Sequence, residues 1–277
     1  MTLILSGKYL AGTIKAEIKQ EVMRIAQQDG IKPTLHSIIM GNCQASLKYA
    51  VQKDKLFSEL GMKAVLHELP ESYGEEGLAE LITRLNLDEN IQDIMIHYPL
   101  PQQLNREKTS LLIDPLKDIE GMNPYSHFQP CTAKAVIRLL DGYNLVIAGK
   151  KAVVIGRSKI VGKPVAEMLL ARDATVSICH SKTNKDTLDY LCQKAEIIVT
   201  ATGKLGLITS EMVNSEAVII DAGTSYRNGK VQGDVEYYEV LGKVKALSPV
   251  PGGVGPLTNL MAAENLILTY EQLKKNK

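Results

Sequence analysis

Residues 152–170, AVVIGRSKIVGKPVAEMLL, constrain the fold more than any other part of the chain. An apolar, β-branched run ends at Gly156, and an amphipathic helical pattern begins near Val161. A strand, a glycine turn and a helix in that order form the first unit of a dinucleotide-binding sheet. The glycine can take a backbone conformation closed to other residues, and the helix start directs free N–H groups at a pyrophosphate. The spacing is G-x5-G rather than G-x-G-x-x-G, so the turn alone leaves a purely structural βα connection open.

The residues that follow narrow the choice. A second strand at 174–179 (ATVSIC) comes where an NAD-binding fold places an acid on the ribose 2′-hydroxyl, and no acid is there. The strand runs into His180, Ser181 and Lys182, while Arg157 sits in the first turn. Cations and a hydroxyl suit a 2′-phosphate, so the expected cofactor is NADP. Two further apolar runs, 196–201 (EIIVTA) and 217–222 (AVIIDA), are expected with helical segments between them and are closed by Gly203 and Gly223. That alternation predicts a parallel sheet with helices on both faces.

With 277 residues, 45% hydrophobic and 23% charged, the chain has room for two α/β domains. A formal net charge of +1 without a basic, aromatic-interleaved stripe argues against nucleic acid as a partner. Cys43, Cys131, Cys179 and Cys192 are dispersed, which fits free thiols in a reducing cytosol and gives no support to a metal site. The apolar run at 3–5 is too short for a signal peptide, and no later run reaches about 18 residues, so no membrane association and a cytoplasmic place are expected.

Ahead of the nucleotide-binding region the pattern predicts a helix at 8–28, a strand at 35–40, a helix at 45–60, a strand at 64–69, a helix at 75–85 and a strand at 93–98. Pro115, Gly121, Pro124 and Pro130 break any period and mark an active-site loop leading to a domain crossing. Thr132 is expected to cap a helix at 133–140. The segment 249–256 (PVPGGVGP) reads as a second crossing, followed by a helix at 258–274 that returns to the first domain and leaves a cleft. The expected division is 1–131 plus 252–277 for one domain and 132–251 for the Rossmann-like one.

The helix at 45–60 carries an anomaly. At about 100° per residue, Tyr49, Leu56, Phe57 and Leu60 form an apolar stripe with Lys53 in its middle. A lysine there either snorkels along its methylenes or faces a cleft where desolvation lowers its pKa toward acid/base use. Tyr49, one turn earlier, shares the face. The exit Pro99-Leu100-Pro101 places His97 and Tyr98 at the carboxyl edge of a sheet, where α/β ligand sites form. Asp118 and Glu120 precede Gly121 in the irregular segment, and Gly252 and Gly253 permit close backbone approach to a ligand. Each has an ordinary structural reading when taken singly.

Together, SLKYAVQKDK (46–55), PLP (99–101), KDIEG (117–121), PCT (130–132), GRSKIVGKP (156–164), CHSKT (179–183) and PVPGGVGP (249–256) resemble, in order and over nearly the whole chain, the methylenetetrahydrofolate dehydrogenase/cyclohydrolase family. The resemblance implies NADP-linked oxidation of 5,10-methylenetetrahydrofolate to the 5,10-methenyl cation, commonly followed by hydrolysis to 10-formyltetrahydrofolate. It implies that Tyr49 borders the pterin, that Lys53 is the acid/base lysine with His97 beside it, and that Glu120 grips the pterin. Thr132, Gly156, Arg157, Ser158, Gly162, Ser181 and Thr224 would line the NADP site, and Gly252 and Gly253 would lie by the folate. A homodimer through the nucleotide domain is also implied.

Three positions depart from the family pattern: His97 replaces a usual Gln, Glu120 a usual Asp, and Thr224 a usual Ile. The first two fall in the folate half, so hydrolysis is expected to be weakened and pH-dependent across the histidine range. A dehydrogenase with little or no cyclohydrolase activity is therefore the second reading. A non-catalytic NADP-binding sensor is the third, and retention of both Tyr49 and Lys53 argues against it.

Overall fold

The computed structural model describes residues 1–227 and 229–275. In chain order its first elements are β1 (Leu3–Ile4), α1 (Gly7–Asp29), β2 (Thr34–Met40), α2 (Gln44–Glu59), β3 (Lys63–Leu69), α3 (Gly74–Leu87), β4 (Asp93–Ile96) and α4 (Arg106–Ser110). Then come α5 (Cys131–Gly142), β5 (Lys151–Ile155), α6 (Gly162–Leu170), β6 (Thr175–Cys179), α7 (Lys185–Lys194), β7 (Ile197–Thr200) and β8 (Val218–Asp221). The last are β9 (Ser225–Arg227), β10 (Lys230–Gln232), α8 (Tyr237–Val240), β11 (Ala246–Leu247) and α9 (Gly255–Lys275). The chain forms two compact α/β units. One comprises Met1–Gly12 and Thr132–Thr258, the other Thr13–Cys131 and Asn259–Lys277.

The second of these units holds a three-stranded parallel sheet, β3-β2-β4. Strand alternation divides its residues between two faces. Ile38, Met40, Ile94 and Ile96 turn to Leu78, Leu81, Ile82 and Leu85 of α3, an apolar core spaced at helical intervals. Asp93, Met95 and His97 take the opposite face. The β4 ladder stops at Ile96, short of the expected 98, although the His97 amide still donates to the Ile38 carbonyl at 2.9 Å.

The other unit holds a six-stranded sheet in the order β1-β11-β8-β7-β5-β6, with every pairing parallel. Its central strands β5, β7 and β8 are buried except at the first residue of β5, as strands covered on both faces must be. Two expectations are corrected here. No helix joins β7 to β8; Gly203 and Gly206, at φ of 68° and 63°, turn the chain, and Ile208 bridges to Val235 instead. Helix α5 begins at Cys131, so Thr132 lies inside its first turn rather than capping it. The run at 3–5 contributes an edge strand, and the antiparallel hairpin β9–β10 adds a second small sheet.

Candidate active site

On α2 the buried face comprises Ser46, Ala50, Lys53 and Phe57, and Leu60 continues it just past the helix end. Tyr49 lies beside that stripe, 43% exposed, and its hydroxyl donates to Asn259 Oδ1 at 2.8 Å. Lys53 is fully buried. Its Nζ pairs with the Glu120 carboxylate, contacts Met95 Sδ at 2.9 Å and lies 5.9 Å from the centre of the Phe57 ring. It neither snorkels nor loses its charge. Burial is the largest single influence and presses the ammonium toward neutrality, but the charge and hydrogen bond of Glu120, with smaller contributions from Tyr49 and Cys131, together outweigh it, and the net shift is upward. The expected lowering of its pKa is therefore reversed in this arrangement.

The segment carrying Glu120 is built residue by residue. Lys117 Nζ donates to the Leu85, Asn86 and Asp88 carbonyls, closing the C-terminus of α3. Asp118 Oδ2 accepts the Asn123 amide at 2.7 Å, and burial raises this carboxyl to about 6. The Ile119 carbonyl accepts from Asn265 Nδ2 at 2.8 Å. At Gly121, φ is 66° and a Cβ would lie 2.6 Å from Pro130 N, so only glycine lets the loop fold back and leave Glu120 aimed at Lys53.

His97 meets the Tyr49 ring edge to face, with centroids 5.9 Å apart. Burial, reinforced by the Lys53 charge, lowers its pKa to about 4. The ring is neutral at physiological pH, which moves any titration of His97 below the histidine range expected from sequence. The structure thus gathers Tyr49, Lys53, His97 and Glu120 into one cluster, with Asp93, Met95 and Asn259 as members that the sequence reading did not single out. Strand alternation from His97 back through Met95 could have flagged Asp93.

In the six-stranded unit, β5 delivers the chain to Gly156, where φ is 127° and a Cβ would sit 2.6 Å from the Ala201 carbonyl oxygen. A Cβ on Gly162 would be 2.2 Å from the Gly156 carbonyl oxygen. Ser158 Oγ accepts from the Val161 and Gly162 amides and so shapes the start of α6. Arg157 is exposed in this turn. Ser181, His180, Thr183 and Thr202 line a cavity of about 690 Å³ beyond β6 and β7. The glycines leave a backbone cradle that side chains would fill, and the segment directly after β6, residues 180–185, carries no acid, although Asp189 and Glu211 line the cavity farther on, so the turn and this segment fit NADP.

Behind that cavity two buried aspartates interlock. Asp234 Oδ2 accepts from Thr200 Oγ1 (2.7 Å), the Thr202 amide (2.7 Å) and Thr202 Oγ1 (2.8 Å). Asp221, raised to about 6 by burial, accepts the Gly223 and Val235 amides. Thr224 is exposed just past Gly223. Gly252 and Gly253 are buried, with φ of 118° at Gly252 and its carbonyl accepting from the Lys8 amide. Thr132 is half-buried in α5. Among the described residues no group of three metal-ligating side chains occurs.

Residues 5–120 match the catalytic-domain model of tetrahydrofolate dehydrogenase/cyclohydrolase, and residues 130–274 match its NAD(P)-binding-domain model. The chain is similar to the bifunctional protein FolD of Thermodesulfovibrio yellowstonii, at 43% identity over 98% of each chain. Its fold resembles the bifunctional FolD methylenetetrahydrofolate dehydrogenase/cyclohydrolase of Campylobacter jejuni, with TM-score 0.93 and 35% identity over 98% of this chain and 99% of that one. It also resembles the Trypanosoma brucei N5,N10-methylenetetrahydrofolate dehydrogenase-cyclohydrolase, complexed with NADP and an inhibitor, with TM-score 0.90 and 31% identity over 98% of each chain. With one family model falling on the lysine cluster and the other on the glycine cradle, the chain belongs to the tetrahydrofolate dehydrogenase/cyclohydrolase family.

Proposed function

We propose that the protein oxidises 5,10-methylenetetrahydrofolate to 5,10-methenyltetrahydrofolate with NADP and hydrolyses the product to 10-formyltetrahydrofolate. The observation that carries this reading is a fully buried lysine held by Glu120 beside Tyr49 and a neutral His97. NADP, when bound, supplies the hydride acceptor. The backbone at Gly156 and Gly162 would admit its pyrophosphate, while Arg157 and Ser181 would engage its 2′-phosphate.

For the folate, Tyr49 borders the pterin and Glu120 accepts hydrogen bonds from it. Holding the methylene carbon in place accounts for most of what the side chains contribute to oxidation. Hydrolysis needs proton transfers to and from the attacking water and the folate nitrogen. Lys53, buried between Tyr49 and Glu120, is placed to serve them. His97, neutral, can hold a hydrogen bond to Lys53 or to water without repelling the cation.

The same reading includes tetrahydrofolate one-carbon derivatives as ligands, a homodimer through the nucleotide-binding unit and a cytoplasmic place. The open edge at β6, with Ile178 46% exposed, and the exposed Tyr226 of the hairpin suit association between copies. Among the described residues, no helix is long and apolar enough to cross a membrane.

The test is a spectrophotometric assay with methylenetetrahydrofolate and either NADP or NAD, followed by decay of the methenyl product corrected for the uncatalysed rate. Turnover with NADP and accelerated decay are expected. Oxidation without accelerated decay would leave a dehydrogenase alone, and binding of NADP without turnover would point to the sensor.

A further inference from the structure

Asp93 opens β4 with its side chain fully buried. Its Oδ1 is reached by the Ile119 amide at a long 3.4 Å, and its Oδ2 has no hydrogen-bond partner among the described residues. Buried carboxyls are ordinarily well satisfied, as Asp221 and Asp118 are in this chain. Alternation along β4 puts Asp93 on the same face as Met95, whose Sδ touches Lys53 Nζ. The ammonium therefore lies over the middle of a column that runs from Asp93 through Met95 to His97.

We propose that Asp93 is a positioning residue for Lys53, a reserve counter-ion that takes up the lysine's charge when Glu120 turns to the folate. The proposal rests on the reading of Glu120 as the pterin-binding carboxylate. In the free protein Glu120 neutralises Lys53, and Asp93 stays protonated. Burial raises its pKa well above the carboxylate range; the Lys53 charge opposes this, and Glu120 and Asp118 reinforce it. These three, with His97 just past the same strand, Tyr49 and Cys131 beside the lysine, and Asp54 next to it on α2, are the titratable groups around Asp93 and Lys53.

When the pterin draws hydrogen bonds from Glu120, the negative charge acting on Asp93 is diluted and Lys53 is left undercompensated. Both changes favour ionisation of Asp93. Its O–H bond breaks, the electron pair stays on the carboxylate, and the proton passes to solvent. The ammonium then stays anchored over Met95 during turnover rather than following Glu120.

The test is calorimetric titration of the full-length protein with tetrahydrofolate at pH 7, under anaerobic conditions, in phosphate and in Tris. The difference in heats between the buffers gives the protons released. The unaltered protein is expected to release about half to one proton per folate bound, and Asp93→Asn to release less than a quarter of that. Infrared difference spectra of the unaltered protein, labelled with 13C at aspartate carboxyls, should show loss of a protonated-carboxyl band on binding, whatever the variant's folding. Binding without proton release or band loss, or release that survives in folded Asp93→Asn, would overturn the proposal and leave the functional reading standing. Absence of tetrahydrofolate binding would overturn the functional reading and this inference together.

Discussion

Gly223→Ala tests whether the interlocked aspartates hold in shape the cavity proposed for NADP. The backbone of Gly223 needs no left-handed conformation, so the argument concerns space alone. An added Cβ would lie 2.2 Å from both Cγ and Oδ1 of Asp234. Ordinary contact begins near 3.4 Å, so the carboxylate must withdraw by about 1.2 Å, enough to stretch hydrogen bonds of 2.7, 2.7 and 2.8 Å past their useful range. Each bond to a charged acceptor contributes about 1.5–3 kcal/mol, and with part recovered by re-aiming, the net loss should be about 3–4 kcal/mol. For a unit of this size that is on the order of 10 °C in the melting of the nucleotide-binding half. Thr202, released from Asp234, lines the cavity beside Ser181, so the KM for NADP should rise at least about tenfold, equivalent to about 1.4 kcal/mol of binding. The same chemical change at Gly12, an exposed site in α1 where a Cβ meets nothing within 4 Å, should instead stabilise by about 0.5–1 kcal/mol and leave KM unchanged. Differential scanning calorimetry and initial rates on both variants decide the matter. A Gly223→Ala protein that melts within 2–3 °C of the parent (about 1 kcal/mol or less) with unchanged KM would refute the reasoning.

Arg157→Ala should raise the KM for NADP by roughly ten- to a hundredfold, the loss of one charge-assisted contact of about 1.5–3 kcal/mol, with little change for NAD; equal losses with both cofactors would remove Arg157 from the 2′-phosphate site. Lys53→Met keeps the methylene packing against Phe57 and removes the ammonium, so hydrolysis of the methenyl compound should fall by about a hundredfold or more, with the fold intact by circular dichroism. For His97→Gln, the ratio of parent to variant hydrolysis rates should stay constant from pH 6 to 8, because His97 is held neutral with a pKa of about 4. Its folded value lies below the unfolded value of about 6.5, so the unfolded chain binds the extra proton first. The parent should lose stability as pH falls from about 6.5 to about 4, a limb that should be shallower in acid-denaturation curves of His97→Gln, where His36 and His67, also lowered by burial, keep their share.

The nucleotide-binding sheet was legible because its strands are continuous apolar runs and its turns are glycines, signals that are local in sequence. The fate of Lys53 was not. Helix periodicity identified an expensive position but could not say whether the lysine escaped to water or lost its charge, since the answer lies in Glu120, far along the chain in a loop without a period. Asp93 was missed for a related reason: an acid at a strand's first position reads as a solvated terminator, and only the packing of α2 and the 117–121 segment over β4 buries it. The pairing strands β1 and β11, two residues each, are too short to carry an alternation. The expected helix between β7 and β8 failed because Gly203 and Gly206 favour turns, and because Ile208 finds its partner in Val235 instead of in a helical neighbour.

The pairing of Leu3 with Ala246 and Ile4 with Leu247 sets an order of events on the ribosome. Leu5, fully buried in the finished protein, is made long before β11, the strand whose Leu247 carbonyl accepts its amide. The unit carrying Lys53 waits as well, because it includes residues 259–277. Neither unit is a segment that can close early and leave the other to follow. A chain truncated before residue 246 would leave an unpaired edge in one unit and an uncovered apolar face in the other, making premature termination products of this protein candidates for rapid proteolysis rather than for partial function.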